Sequence, residues 1–156
     1  MSAAESASTR LAALGLKLPE VATPVAAYVP AVRTGNYVYT SGQLPFVEGK
    51  LQGTGKVGDS VTIEQAAGLA RIAALNALAA AAAAAGGLDA IKRVVKVVCF
   101  VSSATDFTGQ AQVANGASEL LMDVLGDAGK HARSAVGMAV LPLDTPVEVE
   151  IVVEVA

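Results

Sequence analysis

A chain of 156 residues with 53% hydrophobic and only 16% charged side chains is long enough to bury one core and too apolar to be disordered. Its 11 Lys and Arg against 14 Asp and Glu give a net charge of −3 without a basic cluster, and aromatics are 4% with no Trp, so duplex binding and base stacking are both disfavoured. One cysteine, Cys99, and one histidine, His131, exclude a disulfide framework and a Cys/His metal site.

In chain order, residues 1–23 read as an N-terminal arm: a short helix around Thr9–Leu16, then a lead-in punctuated by Pro19 and Pro24. Glu5 and the lack of a basic start argue against a signal sequence. Ala27–Arg33 and Tyr37–Ser41, separated by a Gly35-Asn36 turn signal, predict a hairpin. Residues 47–59 hold four glycines and five charged or Gln residues, a loop with room for a short edge hairpin. Thr62-Ile63-Glu64-Gln65 fits a capping box and opens a helix whose apolar face is read as Leu69, Ile72, Leu75, Leu78 and Ala79. The Ala-rich second half needs little volume and predicts close packing on a sheet; Gly86-Gly87 ends it. Arg71 and Asn76 interrupt the apolar stretch, which argues against a membrane span and for a soluble cytoplasmic chain.

The run Ile91–Ser102, nearly all β-branched in its middle, predicts a central strand buried on both faces. A second helix spans Gln110–Leu125, with Val113, Ala117, Leu120, Leu121 and Val124 inward. Arg133–Val140 and Val147–Val155 are the last strands; in the latter, Val and Ile alternate with Glu148, Glu150, Val152 and Glu154. The order β-β-(β)-α-β-α-β-β predicts one α+β domain over 1–156, two helices on one face of a mixed sheet. The low charge content predicts that apolar surface is buried between subunits.

Three segments together resemble the Rid (YjgF) family. They are Tyr28 followed by Gly35-Asn36-Tyr37-Val38-Tyr39-Thr40-Ser41-Gly42-Gln43-Leu44-Pro45, then Val94–Val101 leading to Asp106-Phe107, then Ala132-Arg133-Ser134 through Leu141-Pro142 to Val147-Glu148-Val149-Glu150. The match covers about residues 24–156. The resemblance implies a chorismate-mutase-like two-layer sandwich assembled as a homotrimer, with ligand clefts between subunits. It also implies hydrolysis of reactive imines and enamines of amino-acid metabolism to 2-keto acids and ammonia, with no metal or organic cofactor. In that frame Arg133 anchors the substrate carboxylate, Tyr28 lines the cleft, Glu148 holds the hydrolytic water and the backbone near Gly42 closes one side. Ala135 stands where many members carry cysteine, and Ala26-Ala27 where Gly-Pro is usual.

Each residue also has a plain structural reading. Arg133 suits bidentate carboxylate binding and equally a surface or interface ion pair. Glu148 suits proton handling in a dry site and equally an exposed strand carboxylate. Tyr28 suits packing at a strand start. Cys99 lies in an apolar run and reads as core. His131 reads as a loop histidine, Asn115, Ser118 and Glu119 as a solvated helix face, and Lys92, Arg93 and Lys96 as solvation of a strand entry. A non-catalytic binder of keto acids would need the same Arg133. An endoribonuclease, an activity attributed to some members of the family, fits one histidine and a net negative charge least well.

Overall fold

The computed structural model describes residues 4–23 and 25–156; Pro24 of the predicted lead-in lies outside them. The described helices are α1 (Ala7–Ala13), α2 (Ile63–Ala85) and α3 (Gln110–Leu125). The strands are β1 (Ala31–Thr34), β2 (Tyr37–Thr40), β3 (Phe46–Val47), β4 (Lys50–Leu51), β5 (Ile91–Ser102), β6 (Ala132–Met138) and β7 (Val147–Val155). Five strands form a mixed sheet in the order β1-β2-β7-β5-β6, in which only β5 and β6 run parallel. β3 and β4 form the separate short hairpin. Helices α2 and α3 pack on one face, giving the two-layer α+β sandwich read from the element order.

Local chemistry sets the ends of these elements. Ser6 Oγ accepts from Thr9 N at 3.2 Å, so α1 begins two residues before the predicted Thr9. The capping box of α2 is complete, with Gln65 N donating to Thr62 Oγ1 at 3.1 Å and Thr62 N to Gln65 Oε1 at 2.9 Å. Gly86, at φ +92°, closes α2 in the left-handed conformation. The first strand starts at Ala31, after Pro30, rather than at Ala27, and β6 leaves the sheet at Met138 rather than Val140.

Of the predicted apolar face of α2 only Leu78 and Ala79 are buried. Ala66, Ala70, Ala73, Ala74, Ala77, Leu78 and Ala81 are buried, whereas Leu69 and Leu75 are partly buried at the flank. Small side chains let the helix axis approach its neighbours. At Gly116 of α3 an added Cβ would overlap the Ala67 carbonyl oxygen, so backbone lies directly against side-chain-free backbone there. By length and composition α2 is apolar enough to cross a membrane, but 56% of its most apolar window is buried inside the fold, as for a core helix.

β7, last in sequence, sits in the middle of the sheet. Its Val147, Val149, Ile151, Val153 and Val155 are buried under the helices, each side chain contributing roughly 1.5–3 kcal/mol of burial. β5 buries Val94, Val97, Cys99 and Val101 on the same side. Its other side carries Lys96, Val98 and Phe100 only half-buried, so one face of this strand is covered, not both as predicted. No layer of the described chain covers that second sheet face. There Val32, Tyr39, Tyr37, Val136 and Met138 keep 53%, 50%, 43%, 40% and 36% of their surface exposed.

Candidate functional site

At one end of the sheet the chain bulges after β2. Thr40 Oγ1 accepts from Ile151 N at 3.0 Å, and Gln43 rejoins β7 through reciprocal backbone bonds with Val149 at 2.8 and 2.9 Å. Ser41 and Gly42 between them are pushed out of the ladder. The bulge is tied to the lead-in by Ser41 N to Pro30 O at 2.8 Å and Ser41 Oγ to Val29 O at 2.6 Å. Tyr28, the next residue back, is therefore held at this end of the sheet, 59% exposed.

Glu148 meets the bulge from β7. Gly42 lies so close that a Cβ there would overlap the Glu148 carboxylate and stand 2.8 Å from its Cδ. The absence of a side chain at Gly42 is thus what gives the carboxylate its place. Burial, then the neighbouring Glu150 charge, pushes the half-buried Glu148 carboxyl above its ordinary value.

Arg133 enters from edge strand β6. Its backbone pairs with Val97, whose side chain is buried beneath the helices, so Arg133 points into the helix layer. The guanidinium docks along α3: Nη1 donates to Asn115 Oδ1 at 2.8 Å and Ser118 Oγ at 3.1 Å, and Nη2 to the Ala111 carbonyl at 3.3 Å. All three acceptors are neutral. Among the described residues the ion pairs are Arg71–Asp123 and Lys130–Asp127, so Arg133 has no carboxylate partner. Three of its five N–H groups are held, and two remain for an incoming anion.

Tyr28, Gly42 and Glu148 are thus brought to one end of the sheet, while Arg133 is placed elsewhere. Glu148 pairs with Phe100, and Phe100 with Val136, three residues beyond Arg133. Arg133 is therefore two strands and three residues away, roughly 10 Å in each direction, and on the opposite face. One small substrate cannot touch both residues of the same chain.

The residues read as plain packing divide. Cys99 is buried, its thiol pushed up to about 12 by burial, with Arg133 opposing weakly; it is core, not a nucleophile. Ala135 pairs with Cys99 on the helix side of the sheet. Lys96 reaches Ser134 Oγ at 3.1 Å on the open sheet face. Asn115 and Glu119 are exposed, as a solvated helix face requires, but Asn115 and the half-buried Ser118 also form the seat of Arg133. Their i, i+3 spacing was the available signal; the arginine that crosses to them was not visible without the register of β6. His131 is likewise more than a loop residue, because its Nε2 lies 2.9 Å from Ser118 Oγ and its Nδ1 2.6 Å from the Gly129 carbonyl. Among the described residues no three His, Cys, Asp or Glu side chains converge as metal ligands.

The fold is a two-layer α+β sandwich with an unneutralised arginine on its edge strand and a carboxylate in a glycine niche. The family model described as "YjgF/chorismate_mutase-like, putative endoribonuclease" matches residues 8–155. Protein TCP17 of Trypanosoma cruzi is 46% identical over 153 residues, covering 95% of this chain and 96% of that protein. A crystal structure from Shewanella oneidensis, described as a "putative endoribonuclease", is 33% identical with a TM-score of 0.92, over 97% of this chain and 100% of that one. Escherichia coli TdcF with bound serine is 25% identical with a TM-score of 0.62, over 87% and 94%. The chain belongs to the YjgF/chorismate-mutase-like family.

Proposed function

We propose that this protein hydrolyses imine and enamine intermediates of amino-acid metabolism to 2-keto acids and ammonia, at sites shared between the subunits of a homotrimer. The observation that carries this reading is Arg133, oriented by three neutral acceptors and lacking an acid of its own. Such a guanidinium offers a planar pair of donors to a carboxylate without first breaking an ion pair. The serine bound to TdcF is a small α-carboxylate of the same kind.

Arg133 fixes the substrate by its carboxylate. A water beside Glu148 adds its oxygen to the imine carbon, its proton passing to the carboxylate, and the C=N electron pair moves to nitrogen, which is protonated. The carbinolamine hydroxyl proton then passes by way of Glu148 to the nitrogen, the C–N bond breaks with its electron pair going to nitrogen, and ammonia leaves as the C–O bond becomes C=O. A carboxyl whose affinity for a proton is raised by burial and by the Glu150 charge is suited to hold that proton and return it. Imines are labile in water, so positioning and modest proton transfer suffice.

The opposite-face placement of Arg133 and Glu148 supports a shared site: one subunit brings the arginine, another the carboxylate. The open sheet face with Val32, Tyr39 and Val136 is surface that a second copy would cover. Two measurements test the reading together. Imine generated in situ by an amino-acid oxidase should yield keto acid and ammonia faster with the protein than without it. Sedimentation should give a trimer at micromolar concentration. A binder without turnover would leave the hydrolysis at its spontaneous rate, and a stable monomer would remove the shared site.

A further inference from the structure

We infer that His131 is a positioning residue for Arg133, acting through Ser118 in one tautomer of the neutral ring; the inference rests on the reading of Arg133 as the carboxylate anchor. The Gly129 carbonyl can only accept, so the proton sits on His131 Nδ1, 2.6 Å away. In the neutral ring Nε2 is then a bare acceptor, and Ser118 Oγ–H, at 2.9 Å, donates to it. With its own proton committed, Ser118 Oγ presents its lone pairs to Arg133 Nη1 at 3.1 Å. The bonds run in one direction, from Arg133 to Ser118 to His131 to Gly129.

The far end of this chain is rigid. Gly129 lies in the short turn after α3, where an added Cβ would overlap the Leu121 carbonyl and come within 2.8 Å of Met122 Cα. The acceptor that selects the tautomer is therefore locked against the same helix that seats Arg133. Asn115, one turn earlier on α3, accepts from the same Nη1 through its carbonyl oxygen Oδ1, which needs no partner to present its lone pairs. His131 thus sets the hydrogen-bond direction at Ser118, and with it the rotation of the guanidinium plane toward a ligand.

Because the chain has one histidine, its ring ¹⁵N signals are unambiguous. With the ring neutral, they should report protonated Nδ1 and bare Nε2, the tautomer that free histidine disfavours. Calorimetric titration with 2-ketobutyrate should show binding by the parent and none by Arg133→Ala. Loss of one hydrogen-bond partner at Ser118 predicts about three- to tenfold weaker binding for His131→Leu. His131→Gln, whose amide can still accept from Ser118, should recover most of it. If His131→Leu does not fold, Ser118→Ala should show the same weakening while its His131 keeps the proton on Nδ1, because the Gly129 carbonyl still selects that tautomer. Protonated Nε2 in the parent, or full affinity in His131→Leu while Arg133→Ala fails to bind, overturns the role of His131 alone. Full affinity in Arg133→Ala, or no binding by the parent, overturns the carboxylate reading and this role with it.

Discussion

Replacing Gly42 with alanine puts a methyl group where the Glu148 carboxylate now lies, against its Oε1 and 2.8 Å from its Cδ. The Gly42 backbone cannot yield easily, because Gln43 is bonded twice to Val149 and Ser41 to Pro30. It also has no positive φ, so alanine adopts its conformation without strain. The side chain of Glu148 must therefore swing out of its rotamer, at roughly 0.5–1.5 kcal/mol. The alanine offsets about 0.4–1 kcal/mol of this by restricting the unfolded chain. The net change is within about 1 kcal/mol, or roughly 2–4 °C in Tm for a domain of this size. Activity should respond far more, since a positioned acid–base group contributes about a hundredfold or more. Keto-acid formation from an in situ imine, measured beside calorimetric melting, separates the two effects. A Gly42→Ala protein with the parental kcat would refute the role of Glu148. A Tm lowered by 10 °C would show that the methyl displaces backbone instead.

Glu148 should also leave its mark on pH dependence. As the proton acceptor it must be ionised, so kcat should fall on the acid side at a pH above the ordinary carboxylate range, and Glu148→Gln should abolish that limb along with most activity. Its folded-state value is raised, so the ionised form costs stability at neutral pH, and Glu148→Gln should melt at or slightly above the parent. Asp89 has the opposite sign: the hydrogen bonds from Ser8 hold its carboxyl below the ordinary value. Its hold on α1 is therefore present above its unfolded value and lost as pH falls through the lower folded one. Hydrogen exchange should show residues 7–13 less protected in Asp89→Asn, with imine hydrolysis unchanged. Gly116→Ala forces α2 and α3 apart at Ala67 and should cost about 1–3 kcal/mol, read as a lowered Tm in calorimetry.

The parts of the fold legible in the sequence are those fixed by neighbours a few residues apart. Thr62 and Gln65 made the start of α2 readable, Gly126 marked the end of α3, and the strict alternation in β7 named its buried face before its position was known. The close packing of the Ala-rich half of α2 is legible, but Leu69, Ile72 and Leu75 lie at its flank, because close approach to neighbouring backbone, as at Gly116, favours alanine over the leucines that transfer scales weight more heavily. The site was legible as a set of residue types and not as an arrangement. That Arg133 and Glu148 face opposite ways follows from the register of β6, β5 and β7, which depends on long-range pairing. The seat of Arg133 on Asn115 and Ser118, and the tie of Ser118 to His131, needed the same register to be seen.

Imine hydrolysis by Arg133→Lys tests most directly whether the Arg133 guanidinium clamps a substrate carboxylate. Lysine keeps the charge but loses the planar pair of donors, so it should fail almost as badly as Arg133→Ala. Loss of such a charge-assisted pair costs roughly 2–5 kcal/mol, a thirtyfold to several-thousandfold fall in kcat/KM. Melting temperature and oligomeric state should match the parent, since the guanidinium is bound only to neutral groups on one helix. A folded Arg133→Lys protein with the kcat/KM of the parent would contradict the account.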